Sequence, residues 1–112
     1  MSSILTSIKK LVGIPAEYTD FDDDLIMHIN SVFMVLKQLG VGPKNGFSIT
    51  GDTEQWTDFI AADNVQLIKS YMYLKVRLMF DPPINAALIE SIKNQITEFE
   101  WRLNAEIEPY PA

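Results

Sequence analysis

Apolar residues recur at spacings of three and four along most of this chain, which is the signature of helices burying one face. Ile4, Leu5, Ile8, Leu11 and Val12 predict a short amphipathic helix within Met1 to Ile14, with Lys9 and Lys10 on its other side. Gly13 and Pro15 stop it. Thr19 or Asp20 is placed to cap a second helix, whose first turn is crowded by Asp22, Asp23 and Asp24, where the helix dipole favours negative charge. Leu25, Ile29, Val32, Leu36 and Leu39 form its inward stripe, widened by Ile26 and Phe33, and Gly40 ends it.

The segment from Gly40 to Asp52 holds four of the five glycines with Pro43 and Asn45, so it predicts a long loop, with Phe47 to Ile49 as a short extended stretch. Loops of that length in a small domain are usually mobile or functional. A brief helix follows, with Asp52 as cap, Gln55 in the capping-box position, and Trp56, Phe59 and Ile60 on it. Asp63 or Asn64 opens the next helix, which carries two stripes: Val65, Ile68, Met72, Val76 and Met79, and Leu67, Tyr71, Leu74 and Leu78. A helix apolar over so much of its circumference is either central to a core or pressed against another subunit. Asp81, Pro82 and Pro83 terminate it. The last helix runs from about Asn85 to Ala105 on Leu88, Ile89, Ile92, Ile96, Phe99 and Leu103, with Glu98 four residues before Arg102 for a surface pair. Glu108 to Ala112, with two prolines, reads as an extended tail. The expected fold is all-α: one domain over residues 1–112, a bundle of four to five helices with one long Gly-rich loop and a short tail.

Composition narrows the functional classes. A length of 112 residues with 47% hydrophobic positions allows one compact core and leaves little room for a large cofactor pocket. The absence of cysteine removes disulfides, thiolate metal sites and a Cys nucleophile. With 15 acidic against 9 basic residues and a net charge of -6, tight wrapping of nucleic acid is disfavoured, because phosphate affinity needs clustered cations. Lys9 and Lys10 interrupt the apolar run that a secretory signal requires, and no window approaches the ~18 consecutive apolar residues of a membrane span. A soluble protein is expected.

Motifs with chemistry are sparse. Asp20, Asp22 and Asp24 imitate the opening of a calcium loop, but Leu25 stands where a glycine is needed and Ser31 where a bidentate Glu belongs. An acidic helix cap accounts for them. His28, four residues from Asp24, lacks a marked nucleophile or second ligand. The carboxylate pairs Glu54 with Asp58 and Glu98 with Glu100 lie in amphipathic segments and read as solvated faces. Lys69, Lys75 and Arg77, interleaved with Tyr71 and Tyr73, do not share a single face of one helix. No catalytic, metal or cofactor-binding residue is assigned, and no enzymatic activity is expected.

Four stretches together carry a resemblance: IKKLVGIP (Ile8 to Pro15), YTDFDDDLIMHINSVF (Tyr18 to Phe33), YMYLKVRLMFDPP (Tyr71 to Pro83) and ITEFEWRLN (Ile96 to Asn104). The chain resembles the small head-to-tail connector proteins of tailed bacteriophages and prophages, also called head completion or adaptor proteins. The resemblance implies an all-helical subunit of a ring, typically twelvefold, between the portal protein and a tail or stopper protein. Such a ring extends a channel through which DNA passes without sequence-specific binding. The implied location is the virion head-tail junction, reached from the host cytoplasm during assembly, with no membrane involvement and no cofactor. Tyr71, Tyr73 and Trp101 are the expected subunit-interface anchors, and Phe47, Ile49, Pro109 and Tyr110 the expected docking residues for other virion proteins. A small helical nucleic-acid-binding regulator is the alternative, and a basic recognition helix is what would distinguish it.

Overall fold

In the computed structural model, residues 3–60 and 65–107 are described, residues 105–107 by their backbone alone. The expected opening of a helix at Asp63 or Asn64, and the tail with Pro109 and Tyr110, lie outside the described residues. Five helices are present among them: α1 (Ile4–Leu11), α2 (Asp22–Gln38), α3 (Trp56–Phe59), α4 (Val65–Phe80) and α5 (Ala86–Ile107). The all-α expectation is met. The extended stretch expected at Phe47 to Ile49 forms no strand; among the described residues there is one isolated bridge, between Ser3 and Gln55.

Local chemistry explains most boundaries. Ser3 caps α1, its Oγ accepting from the Thr6 N–H at 3.2 Å. Both α1 and α2 end in the paired hydrogen bonds of a Schellman turn: Ile14 N–H to the Lys9 carbonyl at 2.8 Å, and Val41 N–H to the Leu36 carbonyl at 2.8 Å. Gly40, at φ 86°, supplies the left-handed residue that the second of these turns requires. The cap of α2 is Phe21, not Thr19 or Asp20, and it makes no side-chain bond; the three aspartates of the first turn face the dipole instead. The cap of α3 is Gln55, whose N–H donates to Asp58 Oδ2 at 2.8 Å, so Asp52 lies outside the helix. Asn85 caps α5 through its Oδ1, 3.1 Å from the Leu88 N–H.

The largest departure from the predicted pattern is Lys9. Helical spacing puts it opposite the apolar stripe, yet it is 2% exposed. Its Nζ donates to the Ala16 carbonyl at 2.9 Å and the Tyr18 carbonyl at 2.6 Å, and pairs with Asp22 Oδ1 at 2.8 Å. Apart from this ion pair, Asp22 Oδ1 is buried with no hydrogen-bond partner. The turn after α1 folds back over the lysine, and its free carbonyls need a donor there.

α4 is the central helix. It packs against α1, α2 and α5, and Ile68, Tyr71, Met72, Leu74 and Val76 are buried. Of the two alternatives for an over-apolar helix, the core position is the one taken, although Met79 at its end stays exposed. α5 lies against α4 through Ile92, Ile96 and Leu103, while Leu88 in the predicted stripe is exposed.

The long loop over residues 40–52 is held by the core. Val41 and Ile49 are buried, and Asn30 of α2 clamps Ile49 twice, accepting from its N–H at 2.8 Å and donating to its carbonyl at 3.0 Å. Phe47 meets Phe33 and Phe59 with ring centroids 5.1 and 5.4 Å away. Packing therefore explains this segment, which the glycine content alone did not reveal. Gly42, at φ 87°, passes so close to the Phe59 ring that a Cβ there would collide with it.

Two substitutions test this framework. Lys9→Met should lower unfolding free energy by about 3 kcal/mol, because it leaves a buried carboxylate oxygen and two carbonyls without their donor; a urea midpoint no lower than wild type would contradict it. Gly42→Ala should cost about 1–3 kcal/mol from its backbone conformation and the Phe59 contact. Gly51→Ala, with open space around it, is the near-neutral comparison in the same melts.

Candidate functional site

The residues that carry reactive chemistry are each tied into structure. Glu54 Oε2 accepts from Thr50 N–H at 2.8 Å and Thr50 Oγ1 at 3.1 Å, and Asp58 bonds the Gln55 N–H. Desolvation pushes the Glu54 carboxyl up, but hydrogen bonds led by that Thr50 N–H outweigh it and hold the group below its ordinary value. Such a carboxyl stays ionised at neutral pH and suits structure better than proton transfer. Glu98 pairs with Arg102 at 3.2 Å, as its spacing predicts, and Glu100 instead accepts from Tyr71 Oη at 2.7 Å with Lys75 3.8 Å away. The two carboxylate pairs weighed from the sequence thus divide their four groups among separate partners. His28 offers its backbone carbonyl to Ser31 Oγ at 2.7 Å. Among the described residues no group of three or more His, Cys, Asp and Glu side chains is gathered to hold a metal ion.

Interaction surfaces are the better candidates. The cations of α4 diverge: Lys75 lines a cleft against α5, whereas Lys69 and Tyr73 line an open groove of about 720 Å³ between α1 and α4. Lys10 and Leu11 of α1 form the other wall. Lys69 Nζ sits 5.7 Å from the centre of the Trp56 ring, and Arg77 donates to Tyr73 Oη at 3.2 Å. Charges that edge an apolar helix toward different neighbours do not make a recognition helix for nucleic acid.

The three expected interface anchors separate. Tyr71 is fully buried, with burial and the adjacent Glu100 carboxylate pushing its phenol well above the ordinary range, so it belongs to the core. Tyr73 is half-buried on the groove, and Trp101 is 69% exposed on the outer side of α5. Of the expected docking residues, Ile49 is buried and offers no side-chain surface, and Phe47 is half-buried in the phenylalanine cluster.

Sequence reasoning missed Met27 and Met34, which are 61% and 66% exposed on α2. They stand seven residues apart and off the Leu25, Ile29, Val32 and Leu36 stripe, so helical geometry alone marks them as a second, outward apolar face. Met79 of α4 adjoins this face, its Sδ 3.8 Å from Ser31 Oγ. With Met79, these side chains make α2's outer side the described surface richest in exposed methionine.

Comparison with known proteins agrees with a structural role. Residues 4–109 match the family described as "Phage connector protein". Neither a curated protein nor a solved structure matches the chain. No helix among the described residues is long and apolar enough to cross a membrane.

If Tyr71 serves the core and not an interface, Tyr71→Phe should lower stability by about 1 kcal/mol through loss of the bond to Glu100. Denaturant melts together with sedimentation would check it: a change in self-association at unchanged stability would return Tyr71 to the interface.

Proposed function

The chain belongs to the phage connector protein family, and from that premise we propose that it is a ring-forming structural subunit at the virion head-tail junction. In this proposal the ring sits between the portal protein and a tail or stopper protein, completes the head and extends the DNA channel. Twelve copies is the expected number. Assembly of the subunits takes place in the host cytoplasm.

One observation carries the proposal: Met27, Met34 and Trp101 are left outside a core that already encloses Leu25, Phe33, Tyr71 and Leu103. A 112-residue subunit that buries its central helix and still presents large apolar side chains on two different helices has surfaces for two neighbours. Unlike patches on one subunit favour head-to-tail contacts, which close into a ring when the rotation permits. The net charge of -6 fits a conduit wall that repels phosphates and lets DNA slide.

Negative-stain electron microscopy of the purified protein, alone and mixed with portal assemblies, is the direct test. Rings are expected; a protein that stays monomeric at high concentration and leaves portals bare would sink the proposal. Trp101→Glu should preserve helicity by circular dichroism and reduce ring formation, since the side chain contributes little to the subunit's own core.

A further inference from the structure

We propose that the groove between α1 and α4 receives the acidic segment Glu-Ile-Glu-Pro-Tyr, residues 106–110, of a neighbouring copy of this chain. This inference rests on the ring reading and names the surfaces that meet in it.

Charge is the first reason. In a chain with 15 acidic and 9 basic residues, the described residues lining the groove include Lys10 and Lys69 and no carboxylate. Lys9, Lys75 and Arg102 each lie within ion-pair distance of a carboxylate. Lys10 and Lys69 form no ion pair among the described residues, and their two ammonium groups give the groove a positively charged lining. Hydroxyls of Ser3, Thr6 and Ser70 add hydrogen-bonding capacity along its floor.

Shape and composition are the second. A volume of about 720 Å³ falls within the range of sites that enclose a small ligand or a few residues of peptide. Tyr73 and the half-exposed Leu11 give it aromatic and apolar walls. Grooves of that kind accept proline-containing segments that bind in extended form. Glu108, Pro109 and Tyr110 supply such a segment, and Glu106, in the last turn of α5, adds a second carboxylate next to it.

Geometry assigns the segment to a neighbour. Tyr71 and Lys75 of α4 meet Glu100, which places α5 on one side of α4, while Ser70 and Tyr73 face the groove on the other. Passing halfway round a helix about 10–12 Å across needs roughly 17 Å of path, whereas the three residues from Ile107 to Tyr110 reach at most about 11 Å. The groove of the same subunit is out of range. A contact between the end of α5 on one copy and the α1–α4 groove on the next joins unlike surfaces, as a ring requires.

A charge swap on the full chain tests it, read by analytical ultracentrifugation at low salt. The groove variant Lys10→Glu with Lys69→Glu, and the segment variant Glu106→Lys with Glu108→Lys, should each self-associate about fivefold more weakly than wild type or worse. Mixed in equal amounts they should recover association, because each groove then meets a segment of opposite charge. Lys10→Glu alone, at an exposed site, repeats the groove arm if the double variant loses helicity. Unchanged association in both variants overturns the groove assignment and leaves the ring reading standing. Weakening without recovery in the mixture overturns the second copy as occupant and points to an acidic segment of another protein. If wild type does not self-associate, a synthetic peptide of residues 104–112 is titrated into the full chain and followed by NMR. Shifts at Lys10, Lys69 and Tyr73 then support the groove against a failed ring reading, and their absence ends both.

Discussion

The ion pair and two hydrogen bonds of Lys9 hold the rest of the structure in register. One buried ammonium joins the end of α1, the turn at Ala16 and Tyr18, and the start of α2. Buried charges are costly unless every donor is matched, and here three oxygens surround the three available protons. With α1 anchored, Ile4, Leu5 and Ile8 enter the core and Ser7 comes within 3.2 Å of Trp56 Nε1. The same anchoring presents the next residue, Lys10, to the groove.

From that anchor the molecule builds outward around α4. α1 and α2 cover one part of it, and the Phe33, Phe47 and Phe59 cluster ties the long loop and α3 to the same core. α5 is more peripheral: among the described residues Ile92, Ile96 and Leu103, with the Tyr71–Glu100 bond, attach it to α4, and its outer side carries Trp101. In the proposed ring, this free side with its large aromatic residue would be the part of α5 that meets a neighbouring subunit.

Electrostatics follows the same division. The acidic excess gives the protein an overall negative field, while the positive charges are drawn to particular places by packing: Lys9 into the core, Lys75 toward α5, Lys69 and Lys10 into the α1–α4 groove. In the ring proposed above, a subunit that avoids holding DNA and yet holds its neighbours would be served by repulsion at large and attraction at a few sites.

Periodicity and the glycine and proline stops were enough to settle the all-α class, the core stripe of α2, the end of α4 and the Glu98–Arg102 pair, because each depends on contacts within a few residues of chain, whereas the N-caps of α2 and α3 were misplaced. The four stretches that resemble connector proteins made the family legible as well. Lys9 was not legible, since its partners are carbonyls of a turn whose path exists only after α2 docks. The loop over residues 40–52 looked free because glycine and proline advertise turns, whereas its attachment comes from Asn30 and Phe33 on α2, onto which the loop folds back. Tyr71, Tyr73 and Trp101 had equal standing as aromatic residues on apolar helices; the packing of α1, α2 and α5 around α4 sent the first to the core, and the one-sided packing of α5 left the last outside. Local sequence determined which elements form, and tertiary packing decided which of their faces remain available, because exposure is a property of neighbours that are remote in sequence.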